Sequence, residues 1–152
     1  MNTLPSTSPD HYLTGQAALN IPTENGDFAD WHFTEVFLSG NGRFAVAGKN
    51  LPDTSDILGS YGVREVSQLL RQYGVMIPEG QSVYAANPVR AVLDLVLSAI
   101  TRGKIPSHVT LDDTLDTEES RREFQSKTQL IRQRIADKIT LSLLDQWEQQ
   151  QH

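Results

Sequence analysis

The chain has 152 residues, a net charge of −6, 38% hydrophobic residues and no cysteine. Without cysteine there is no disulfide, thiol nucleophile, iron–sulfur cluster or cysteine-ligated zinc, so only oxygen and imidazole sites remain open. The acidic balance argues against a broad phosphate-binding face, and no apolar run approaches the roughly 20 residues that cross a bilayer.

Residues 1–29 mix Pro, Ser, Thr, Asn, Gly and Asp with few apolar groups. Such a composition offsets its ordering entropy poorly, so a mobile N-terminal arm is expected, carrying at most a short strand near Tyr12–Leu19. It has neither a basic segment followed by an apolar one nor an Arg-rich amphipathic pattern, so the expected location is cytoplasmic. The remaining residues, 30–152, read as a single α+β domain, a small antiparallel sheet packed on helices.

DWHFTEVF, from Asp30 to Phe37, is aromatic and β-branched, and Arg43–Gly48 resumes that character after SGNG. Two strands about a glycine-rich turn predict a hairpin over about 31–48. Neither face of its first strand is uniformly polar, so the sheet is expected to be covered on both sides, at least in part. The run GNGRFA matches a loose dinucleotide fingerprint, but that motif must open a helix whose N-terminus faces a pyrophosphate. FAVAG follows instead, so the glycines are read as the hairpin turn.

Turn formers fill NLPDTSD, and a helix over about 60–73 is expected beyond it, because Val63, Val66, Leu69, Leu70 and Tyr73 recur at three- and four-residue steps before Gly74. Asn87 and Pro88 suit the N-cap and first turn of a helix over about 88–102, ended by Gly103 and apolar nearly all round. That makes it the expected core. From 117 to 149 the pattern predicts a long C-terminal helix, entered through Asp116 and Glu119. Straight, it would measure about 50 Å, more than a domain this size needs, so part of it should project or break.

The chemistry-bearing residues assemble weakly. Asp30, His32 and Glu35 could ligate a metal, but Glu35 would face away from the other two in a strand, and His11, His108 and His152 are scattered. No metal or cofactor is therefore assigned, and no catalytic residue either. An acid–base pair of His32 with Asp30 or Asp53 is kept as an enzymatic alternative. Six of the thirteen basic residues fall between Arg121 and Lys138. That run is kept as a nucleic-acid-binding alternative, ranked below a solvated face or a protein contact. Arg90 and Asp94, four apart, read as a local ion pair rather than a substrate clamp.

The stretch from DWHFTEVF through GRFAVAGKNLPDTSDILGSYGVRE, within residues 28–73, resembles small bacterial proteins encoded beside toxin genes, the antitoxin-like kind. The resemblance implies a cytoplasmic protein that acts by binding and blocking a partner, and it carries no particular residue. On this reading the chain is a non-enzymatic binding protein whose partner is another protein, a toxin in the narrowest form. The expected contact is the far end of the terminal helix: Ile139, Leu143, Leu144 and Trp147, flanked by Arg132 and Arg134. A homodimer through the same helix is the other occupant this reading leaves open.

Overall fold

The computed structural model describes residues 4–22, 33–38, 43–115 and 117–151. Asp30, Trp31, His32, the 39–42 turn, Asp116 and His152, all used in the sequence argument, lie outside the described residues. The fold is α+β, as expected, but its strands are not where the hairpin reading put them.

The sheet has four short strands: β1 (Leu13–Thr14), β2 (Ala45–Val46), β3 (Val63–Glu65) and β4 (Tyr84–Ala86), in the order β2-β1-β4-β3. β1 pairs antiparallel with β2, Leu13 opposite Val46, and parallel with β4, Leu13 opposite Ala85, so the sheet is mixed rather than the antiparallel one expected. β3 and β4 are antiparallel, with Arg64 opposite Ala85. Because side chains alternate along a strand, Leu13, Val46 and Ala85 enter one core while Tyr12, Ala47 and Ala86 enter the other. The sheet is thus covered on both faces.

Helix α1 (Gly15–Leu19) follows β1 directly, so the segment expected to be a mobile arm contains a central strand and a buried helix. The reason is local: Tyr12, Leu13, Ala17, Ala18, Leu19 and Ile21 supply enough apolar surface to be buried, and the polar residues before them dilute the average.

The hairpin expected over 31–48 is corrected as well. Thr34–Leu38 is one π-helical turn, and Ala45–Val46 pairs with β1 rather than with it. Phe33 and Phe37, four apart, share a face in a helix as they would in a strand. Here they stack on each other at 4.9 Å, and Phe33 also meets Tyr73 at 5.5 Å while Phe37 meets Phe44 at 5.5 Å.

Two short helices, α2 (Ser55–Leu58) and α3 (Ser67–Gln72), bracket β3. The helix expected over 60–73 therefore survives only in its second half. Val63–Glu65 is drawn into the sheet, where the Val66 N–H also donates to the Val83 carbonyl at 2.8 Å. Gly62 makes the turn possible: it has φ +76, and a Cβ there would stand 2.7 Å from Arg90 Cβ and from Asn87 Oδ1. Gly74 ends α3 at φ +94, as its place in the sequence suggests.

Helix α4 (Pro88–Thr101) is the expected central helix, with Asn87 Oδ1 accepting from the Arg90 N–H at 2.8 Å and Gly103 just past its end. It packs on α1 and on the two C-terminal helices, α6 (Glu118–Arg134) and α7 (Lys138–Gln149). A single turn, α5 (Leu111–Thr114), precedes them. The long C-terminal helix expected over 117–149 is broken at Ile135, which is extended, and restarts where Asp137 Oδ1 caps the Ile139 N–H at 2.9 Å. The break turns α7 back on α6 and places Trp147 against Phe124, with ring centroids 5.7 Å apart. No described helix is long and apolar enough to cross a membrane.

Candidate functional site

The residues expected to form a partner surface on α7 divide sharply. Trp147 and Leu144 are completely buried among α4, α6 and the preceding loop, and the indole N–H of Trp147 donates to the Val109 carbonyl at 2.9 Å. The expectation that they lack cover within the chain is corrected: the helix break folds them inward. Leu143 is half-buried against the same core, while Ile139 is 74% exposed.

Most of the basic run on α6 is engaged within the chain. Arg121 donates to Asp112 and to the Leu115 carbonyl, each at 2.7 Å, and Arg122 lies 3.9 Å from Glu118. Lys127 stands 4.2 Å over the ring of Tyr61, and Arg134 donates to the Asp56 carbonyl at 3.0 Å. Arg132 bridges Asp145 at 2.7 Å and Glu148 at 2.9 Å, which fastens α6 to α7. Arg132 and Arg134 thus act within the chain, as do Arg121 and Lys127, whereas Arg122 is 73% exposed beside an exposed Glu118.

The most concentrated polar chemistry lies instead under the sheet. Asp94 Oδ2 accepts from the Tyr12 hydroxyl at 2.8 Å and from Thr14 Oγ1 at 2.7 Å; Oδ1 accepts from Thr54 Oγ1 at 2.6 Å and from Arg90 Nε at 3.1 Å. Arg90 also donates to Thr54 Oγ1 and to the carbonyls of Gly59 and Tyr61, and its guanidinium lies 5.2 Å from the centre of the Tyr12 ring. Both charges are fully buried. Burial, followed by the Asp94 carboxylate, pushes the Tyr12 phenol far above its ordinary value, so it stays a donor.

This cluster is closed. Both carboxylate oxygens and all three guanidinium nitrogens have partners, and the partners come from β1, α4 and the turn between β2 and β3. Chemically it is a joint that locks distant segments together. The sequence marked Arg90 and Asp94 as a pair, but Tyr12, Thr14 and Thr54 carried no signal of their own, since hydroxyls separated by 40 residues converge only through the fold.

Of the enzymatic alternative, only Asp53 falls among the described residues. It is exposed, and its Oδ1 accepts from the Ser55 hydroxyl at 2.5 Å and the Ser55 N–H at 2.9 Å, at the start of α2. Those two bonds hold its carboxyl below the usual value, which weakens it as a proton acceptor. Glu65 is in the same state, lowered first by the Ser67 hydroxyl, and it also accepts from the Ser67 N–H at 2.6 Å. Among the described residues, no three His, Asp or Glu side chains gather as a metal site would need.

The described surface also presents four large apolar side chains. Met76 is 93% exposed, Ile139 74%, Leu38 45% and Tyr73 38%. Leu38 approaches Gly74, next to Tyr73, at the end of α3, and Met76 lies two residues further along the chain. In the fold the two neighbours of Met76, Val75 and Ile77, point in and it points out. Comparison with protein-family models, with curated proteins and with solved structures finds no match to this chain.

Proposed function

We propose that this chain is a non-enzymatic binding protein that works by contact with another protein, in the cytoplasm of a bacterium, and that in its narrowest form it is an antitoxin neutralising a partner toxin. The observation that supports the reading is the division of labour among side chains. The concentrated charges of the buried Arg90–Asp94 pair and of Arg132 face inward or one another, whereas Met76 and Ile139 stand in water and Leu38 and Tyr73 are partly exposed. Exposed apolar side chains of this size are what a protein partner covers. The contact thereby moves from Leu144 and Trp147, which are core residues, to the surface around Met76, with Ile139 the surviving candidate on α7.

The experiment is retention of one stoichiometric partner by the tagged full chain, compared with Met76→Ser, Leu38→Ser and Ile139→Ser. Loss of the partner from the variants, with unchanged melting temperatures, supports the reading. Equal retention by all of them removes these positions from the contact. For the antitoxin form, co-expression with the captured protein must restore growth that the captured protein alone arrests; failure to do so leaves only the broader binding role.

A further inference from the structure

We propose that Met76 is a sulfoxidation site, at which peroxide turns an apolar surface position polar while leaving the fold intact. The chain has no cysteine and only two methionines, Met1 and Met76, so Met76 is its one internal sulfur. Oxidation of a thioether follows exposure, and this side chain is 93% exposed. Its neighbours Val75 and Ile77 are buried, so the backbone there is anchored from both sides without any contribution from the Met76 side chain. The Val75 N–H bonds to the Leu70 carbonyl at 3.0 Å and the Ile77 carbonyl accepts from Arg71 Nε at 3.2 Å, which fixes the segment independently of what Met76 carries.

The step balances with hydrogen peroxide alone. A sulfur lone pair attacks one peroxide oxygen, the S–O bond forms as the O–O bond breaks, and after proton transfer water leaves. Sulfur loses two electrons and peroxide gains them. The product is a polar, chiral sulfoxide at an exposed position between the buried Val75 and Ile77, reversible by methionine sulfoxide reductases. As regulation of the proposed partner contact, this inference rests on the binding reading above.

Millimolar hydrogen peroxide applied to the full chain tests it. The Met76 peptide should gain about 16 Da as readily as a free methionine amide does. The melting temperature should move by less than about 1 °C, because no buried group changes. Retention on a phenyl matrix should fall for the oxidised wild type and not for peroxide-treated Met76→Leu. An unmodified Met76, a large drop in melting temperature, or equal loss of retention by Met76→Leu would each overturn the site. With the partner in hand, retention by the reduced chain and at least about fivefold weaker retention by the oxidised one supports the regulatory role. Retention indifferent to oxidation overturns that role alone, and a reduced chain that retains no partner overturns the binding reading.

Discussion

Arg90 and Asp94 lie one turn apart on α4, guanidinium Nε 3.1 Å from carboxylate Oδ1, and neither side chain reaches solvent. On an exposed helix such a pair is worth a few tenths of a kcal/mol. Here it is the meeting point of Tyr12, Thr14, Thr54 and the carbonyls of Gly59 and Tyr61, so it joins segments that are far apart in the chain.

Removing one partner should therefore be severe. Asp94→Leu or Arg90→Met each leaves a buried uncompensated charge and should cost about 3–5 kcal/mol in urea denaturation. Replacing both charges is often neutral in other proteins, but here three hydroxyls and two carbonyls lose partners as well. The double variant Arg90→Met/Asp94→Leu should stay destabilised by more than about 2 kcal/mol. Recovery to wild-type stability would show that the hydroxyl network contributes nothing.

Trp147 tests whether α7 is core. Trp147→Ala should lose about 3–5 kcal/mol through its cavity. Trp147→Phe, which keeps the ring beside Phe124 but drops the bond to Val109, should lose about 1–3 kcal/mol. Deleting residues 138–152 should abolish cooperative unfolding rather than leave a folded remainder, since Leu144 and Trp147 fill the face of α4 that it uncovers. A sharp thermal transition in the truncated chain would place α7 outside the core.

Gly62 and Gly59 form a matched pair. Both have positive φ, but a Cβ at Gly62 meets Arg90 and Asn87 at 2.7 Å, whereas one at Gly59 meets nothing within 4 Å. Gly59→Ala meets no atom but must hold φ +59 with ψ −140, a backbone region that suits glycine almost alone, and should cost about 1–3 kcal/mol. Gly62→Ala should cost clearly more, because it also displaces the cap of α4. Equal losses in chemical denaturation would mean that the close approach relaxes freely.

Acid should loosen the starts of α2 and α3 first. Asp53 and Glu65 have folded values below the ordinary 3.8 and 4.5, chiefly because the Ser55 and Ser67 hydroxyls bond their charged forms. A depressed carboxyl contributes its stabilisation above its unfolded value and loses it as pH falls through the folded one. The urea midpoint should thus drop below about pH 4, and Asp53→Asn and Glu65→Gln should each flatten that drop while lowering stability at pH 7. An acid limb identical to wild type in both variants would locate the titration elsewhere.

The tied cations of α6 predict weak binding to duplex DNA at physiological salt, with a shallow salt slope in fluorescence anisotropy, because few phosphates could be neutralised at once. Arg132→Ala should instead loosen α7, by about 1 kcal/mol or less given its partial exposure. Tight, steeply salt-dependent binding would restore the nucleic-acid reading.

The elements whose signals are local and redundant were legible before the fold. In α4, the Asn87-Pro88 entry, the apolar faces and the Gly103 exit all specify one outcome within 17 residues. The C-terminal end of α3 at Gly74 and the helical nature of both C-terminal segments were legible for the same reason. Tertiary structure decided the rest. Phe33 and Phe37 fit a strand or a helical turn equally well, and their contacts with Tyr73 and Phe44 chose the turn. Val63–Glu65 carried helical spacing, but β4 offered it a partner 21 residues away, and a difference of about 1 kcal/mol in local preference yields readily to such pairing. Tyr12 and Thr14 sat in a segment of unpromising composition until Asp94, some 80 residues on, gave their hydroxyls a buried acceptor. Trp147 was recognisable as an anchor, but whether it anchors a partner or its own core depended on three residues, 135–137, that break a helix and turn it home.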